Sequence, residues 1–119
     1  MLPPIYTWLK TAAVQAIVGT PPRAYRHADA PQDTTKPYIT WVLVSGVPDN
    51  EISSLPVSDR WSIQIDCWHQ TDAGVVSLAE AVRDAIEPYG HLISIPINGR
   101  ETETKLYRLG LQFDILQAR

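Results

Sequence analysis

Apolar and polar residues alternate strictly along Trp61–Trp68 and then change period within a few positions. Trp61, Ile63, Ile65 and Cys67 fall on one side of an extended chain, and Ser62, Gln64, Asp66 and Trp68 on the other. That is the period-2 pattern of a strand with one buried face. Beyond Thr71 the apolar residues recur at helical spacing, at Val75, Leu78, Ala79, Val82 and Ile86, which predicts a helix over Ala73–Ile86. Thr71 suits its N-cap and Asp72 the positive end of its dipole, while Pro88 and Gly90 close it.

The other elements follow from the same two periods. Ile5, Leu9, Ala12, Ala13, Ala16 and Ile17 form one stripe of a helix from Pro4 to Val18, stopped by Gly19 and the Thr20-Pro21-Pro22 that follows. Arg23 to Pro37 is polar and irregular, with a short extended piece at Ala24–Arg26. Tyr38–Ser45 reads as a strand that is apolar or β-branched on both faces, hence central between layers or packed on another subunit. Gly46–Ser58 is the longest expected loop, and its Ile52, Leu55 and Val57 suggest that it docks, either elsewhere or back on its own domain. His91–Ile97 is a strand that Pro96 places at an edge or cuts short. Asn98-Gly99 predicts a hairpin turn, and a return strand runs from Thr102 to Leu116 with Tyr107, Leu109, Leu111, Phe113 and Ile115 on one face. The order is α-β-β-α-β-β. It predicts an α+β fold, an antiparallel sheet of about four strands with both helices on one face, as a single domain over 1–119.

Composition narrows the function. The chain has 119 residues, 45% of them hydrophobic and 19% charged, in the range of ordinary globular proteins. A net charge of −3 argues against a dedicated nucleic-acid binder. The lone cysteine cannot form an intramolecular disulfide. The first residues lack the basic start and long apolar run of a signal peptide, and no apolar run approaches a membrane span, so a cytoplasmic setting in the producing cell is expected.

Asp66, His69 and Asp72 lie three apart and invite an acid–base or metal reading. They cross from strand to hinge to helix cap, so a solvated hinge accounts for them better. Cys67, on a buried strand face, reads as a small hydrophobe. His27, His69 and His91 show no metal-ligand spacing, and no nucleotide-binding or nucleophile-elbow motif is present. No enzyme signature and no cofactor follow. Trp61 belongs with the core residues of its strand, Trp68 lies on the polar face as a pointer to a partner surface, and Trp41 fits either side. The Gly99–Lys105 run of charges and threonines reads as a solvated hairpin arm.

Taken together, these stretches resemble the phage tail-completion family. The resemblance runs through the N-terminal helix, Arg23-Ala24-Tyr25, the Lys36-Pro37-Tyr38-Ile39-Thr40 lead-in, the Arg60–Trp68 strand, the Thr71-Asp72-Ala73 helix start and the Tyr107–Ile115 strand. It rests on order and spacing more than on any one motif. It implies a virion subunit, a tail terminator that forms a hexameric ring on the last tail-tube ring and joins it to the head connector. DNA would pass through the lumen without specific binding, and no membrane or cofactor would be involved. Such a ring needs two unlike patches on each subunit. The expected contact residues are Trp41, Gln64 and Trp68 on the strands, Asp49, Asn50, Glu51, Ile52 and Leu55 in the long loop, and Asn98 and Arg100 at the hairpin. The competing readings are a neighbouring neck protein (head-closure or adaptor), a small enzyme using Asp66, His69 and Asp72, and a monomeric ligand-binding domain.

Overall fold

The computed structural model describes residues 2–27, 30–31, 34–48 and 58–118. Its elements are helices α1 (Ile5–Trp8) and α2 (Ala12–Val18), strands β1 (Ala24–Arg26), β2 (Tyr38–Pro48) and β3 (Ser58–His69), helix α3 (Asp72–Ile86), and strands β4 (Gly90–Arg100) and β5 (Tyr107–Ala118). The strands form one sheet in the order β1-β2-β3-β5-β4.

β3 sits in the middle, and its alternation sets the inner face. Ile39, Cys67 and Leu109 form one cross-strand row, Trp41, Ile65 and Leu111 the next, and Leu43, Ile63 and Phe113 a third. Helix α3 brings Val75, Leu78, Val82 and Ile86 to these rows, and Ile5, Leu9, Val14 and Val18 of the N-terminal segment join the same core. Each such aliphatic side chain contributes about 1.5–3 kcal/mol on burial. The start of α3 is as the sequence implies: the Thr71 hydroxyl accepts from Gly74 N at 3.0 Å, and Asp72 stands in the first turn.

Among the described residues the sheet has five strands rather than about four, and it is mixed. The short piece Ala24–Arg26 pairs parallel to β2, with Ala24 opposite Ile39 and Arg26 opposite Trp41. The helices among the described residues number three, because the expected Pro4–Val18 helix is broken. α1 ends at Trp8, and Thr11 caps a new start by accepting from Val14 N at 3.3 Å. The break resets the helical phase, so the core takes Val14 and Val18 while Ala12, Ala13 and Ala16 face outward. A stripe drawn through one continuous helix buries the wrong residues.

The second hairpin turns later than Asn98-Gly99. β4 continues through that pair, with Asn98 opposite Leu109, Gly99 opposite Arg108 and Arg100 opposite Tyr107. The turn spans 101–106, where Glu101 N donates to Leu106 O and Lys105 N to Glu101 O, both at 2.9 Å, and Lys105 adopts φ 60°. Thr104 ties it together, accepting from Leu106 N and donating to Glu101. Such local side-chain bonds offer the chain a rival turn. Register shifts on β4, between Leu92 and Ser94 and again between Ser94 and Ile97, each add one residue opposite β5. β4 is an outer strand, where Pro96 is tolerated.

The expected loop Gly46–Ser58 is shorter, because β2 runs to Pro48 and β3 starts at Ser58. Gly46 belongs to the ladder opposite Trp61, and a Cβ there would lie 2.6 Å from the indole. It makes room for a ring rather than breaking a strand. Asp49, Asn50, Glu51, Ile52, Leu55 and Val57 lie outside the described residues.

Leu9→Ala should cost about 2–5 kcal/mol in denaturant unfolding. Ala13→Lys, at a position a continuous helix would bury, should change stability by no more than about 0.5 kcal/mol. A loss above about 2 kcal/mol for Ala13→Lys would restore the single-helix reading.

Candidate functional site on the open face of the sheet

No described helix lies on the second face of the sheet, and its side chains fall in cross-strand rows. Tyr38, Trp68, Arg108 and Gly99 make one row across β2, β3, β5 and β4. Thr40, Asp66, Gly110 and Ile97 make the next. A third holds Val42, Gln64, Gln112 and Ser94. All come from the even positions of β3 and their partners, so the alternation that builds the core also builds this face.

Its centre is an ion pair. Arg108 Nη2 donates to Asp66 Oδ2 at 2.7 Å, and Gln64 Nε2 donates to Asp66 Oδ1 at 3.0 Å. Asp66 is only 5% exposed. Gly110 makes this arrangement fit, since a Cβ there would come within 2.7 Å of Asp66 Oδ1. Arg108 also lies 4.8 Å over the Trp68 ring and 3.6 Å from Glu101. Trp68 stacks on Tyr38 with centroids 5.8 Å apart, and its Nε1 donates to the buried Thr40 hydroxyl at 3.0 Å. Tyr25 meets Tyr38 edge-on at 6.4 Å. Burial raises the Tyr38 phenol above its ordinary value, Glu101 adds to the rise, and Arg108 opposes it. Gln112 Nε2 donates to Ser62 Oγ at 2.9 Å, and Ser94 Oγ donates to Gln112 at 3.2 Å. The face is a preordered lattice of aromatic and polar groups.

The sequence-derived residues separate clearly on this frame. Gln64 and Trp68 lie on the open face, half-buried in the network just described. Asn98 and Arg100 are exposed near the end of β4, with Arg100 5.7 Å over the Tyr107 ring. Trp41 faces the helices, 8% exposed and 6.3 Å from Tyr6, because its odd-numbered position on β2 points inward. It keeps only a small accessible edge, in a shallow pocket beside Tyr6 and Leu43. Tyr38 and Thr40 belong to the two-sided strand the sequence offers as a packing surface, whereas Arg108 and Gly110 escape a reading by period alone, although Arg108 shares the polar side of β5 and matches Asp66 by sign.

Asp66, His69 and Asp72 do not converge. Asp66 is engaged by Arg108 on the open face, and Asp72 is exposed in the first turn of α3. His69 folds its ring over Gly74, where a Cβ would lie 2.2 Å from Cε1, and its Nδ1 accepts from Thr71 N at 3.1 Å. Among the described residues no three His, Cys, Asp or Glu side chains are grouped to hold a metal ion. Cys67 is fully buried, and burial, with Asp66 beside it, pushes its thiol up, away from thiolate reactivity.

A family model described as "Tail completion protein gp17" matches residues 3–118. Among solved structures, a chain of one titled "Virion of native gene transfer agent (GTA) particle" matches with a TM-score of 0.70 at 17% identity. The match covers 97% of this chain and 92% of that one, and at such identity it is a likeness of fold. No curated protein matches the sequence.

Arg108→Ala should cost about 3 kcal/mol in denaturant unfolding, because it leaves a desolvated carboxylate without its cation. A loss below about 0.5 kcal/mol would show the pair to be incidental. His69 supplies a pH dependence. Burial holds its imidazole below the ordinary value, so the unfolded chain takes up the proton more readily. Its contribution is therefore intact above about pH 6.5 and is lost as the pH falls below that value. The thermal midpoint of the wild type should drop further between about pH 7.5 and 5 than that of His69→Asn, which keeps an acceptor without titrating. Parallel pH profiles would contradict this.

Proposed function

The chain belongs to the tail completion protein gp17 family, and from that membership we propose that it is a structural tail-terminator subunit. Copies of it close into a ring of six on the last ring of the tail tube, halt tube growth and present a docking surface to the head connector. The observation that carries the reading is the family match across residues 3–118, nearly the whole chain. The work is assembly, so no catalytic residue is assigned.

The architecture supports this reading. The molecule is elongated, 52 × 27 × 24 Å, and its sheet has two unlike edges, a three-residue β1 and an eleven-residue β4. Unlike edges suit the head-to-tail contacts of a cyclic assembly. Gln64 and Trp68 on the open face, with Asn98 and Arg100 near the second hairpin, are the contact residues we assign to neighbouring subunits or the connector. The segment between β2 and β3, with Asp49, Asn50, Glu51, Ile52 and Leu55, is assigned to axial contact with tube or connector. The net charge of −3 suits a lumen that lets DNA pass without holding it. Among the described residues no helix is long and apolar enough to cross a membrane.

Deleting the gene in the producing phage or particle tests the proposal by electron microscopy. An uncapped tube keeps its growing end, so tails should be overlong and free of heads, and supplying the protein in trans should restore joined particles. Tails of normal length that merely fail to join heads would place the protein elsewhere in the neck, and fully joined particles would overturn the reading. Native mass spectrometry should give a closed oligomer of six copies, alone or on isolated tubes.

A further inference from the structure

Eight large apolar residues are exposed among the described residues, and four of them, Val47 with Leu116 and Val76 with Ile95, fall in two groups on opposite faces of the sheet. The first group is at one end of the open face. Val47 and Leu116 flank Arg60 in a single cross-strand row, with Val44 at the bulge of β2 nearby. This row has no β4 partner, because the β4 ladder ends at Gly90 opposite Ile115. The row therefore sits on a three-stranded arm that extends past the edge strand. Val44, Val47 and Leu116 are all more than half exposed there.

The second group lies on the helix side. Val76, Ala79, Ile95, Leu109 and Leu111 line an apolar groove of about 160 Å³ between α3 and β4. A cavity of about 150 Å³ accommodates a benzene ring, so this one has room for one or two aliphatic side chains. Ile93 is exposed on the same strand. Glu80 and Arg83 form the groove's rim. Arg83 is committed to Glu87 one turn on, which leaves Glu80 exposed with no ion pair among the described residues. Arg60, on the arm, is likewise exposed and makes no ion pair among them; it shares a shallow pocket with His91, Asp114 and Leu116.

Knob and groove lie on opposite faces, so a chain cannot satisfy one with the other. We propose that the Val47–Arg60–Leu116 row of one copy seats in the α3–β4 groove of the next, with Arg60 meeting Glu80. The apolar side chains and the opposite charges match a second copy of this chain, and each contact leaves a free knob and a free groove to continue the series. β4 itself is unsuited to plain strand addition, since Pro96 and two register shifts interrupt it. Side-chain docking avoids that obstacle. The inference rests on the ring reading and names the contact that closes the ring.

Two cysteines test it, because the native Cys67 is buried and stays out of the chemistry. Leu116→Cys combined with Val76→Cys should give a ladder of disulfide-linked oligomers on mild oxidation. Mixing the two single variants should stop at linked dimers. Arg60→Glu and Glu80→Arg should each weaken association at least about tenfold, the pair together should recover most of it, and unchanged thermal midpoints separate this from misfolding. An oligomer by light scattering without cross-links at this pair and without the charge effect would overturn the contact and leave the ring standing. A monomer at every concentration, alone and on tail tubes, would overturn both.

Discussion

The structure depends on one register: the placement of β3 between β2 and β5. Because side chains alternate along a strand, sliding β3 by one residue would turn Ile63, Ile65 and Cys67 outward and bring Gln64, Asp66 and Trp68 under the helices. The helices have nothing polar to offer there, so a single pairing is strongly preferred. The same choice places Asp66 beside Arg108 and Trp68 beside Tyr38 and Thr40. Core and open face are thus two consequences of one alignment.

That coupling gives the open face its character. A sheet face without a helix layer would normally be a loosely solvated surface. Here a nearly buried carboxylate, a guanidinium, an indole and two phenol rings lock one another in place. A desolvated ion pair adds little net stability against an apolar alternative, yet it penalises every register that separates its members. A face held rigid in the free subunit loses little conformational freedom on docking, which favours assembly by many weak contacts.

Much of this was legible in the sequence because β3, α3 and β5 carry unambiguous periods. The Thr71 cap, the inward Cys67 and the outer position of β4 with its Pro96 follow directly from residue chemistry. What was not legible has physical causes. Thr11 starts a new helix turn inside an apolar run, and nothing in the spacing of Ala12, Ala13 and Ala16 reveals the change of phase. The Glu101–Thr104 turn outcompetes Asn98-Gly99 because two bulges shift the register of β4, and register is a property of pairs of strands. Three residues at Ala24–Arg26 are too few to show a period, so their parallel pairing emerges only from the fold. Trp41 looked two-sided because β2 is apolar on both faces, and only its pairing with Ile65 turns it inward. The candidate enzyme residues Asp66, His69 and Asp72 failed as a group because proximity in sequence spanned three different backbone geometries.

The central claim is that this fold acts as a repeating subunit that closes the end of a tail. A cryo-electron microscopy reconstruction of the particle's neck tests it most directly. The account predicts a closed ring of copies of this chain between the last tail-tube ring and the connector, with arm and α3–β4 groove of neighbours in contact. Density for the chain as isolated copies, or no density for it at the neck, would contradict the account.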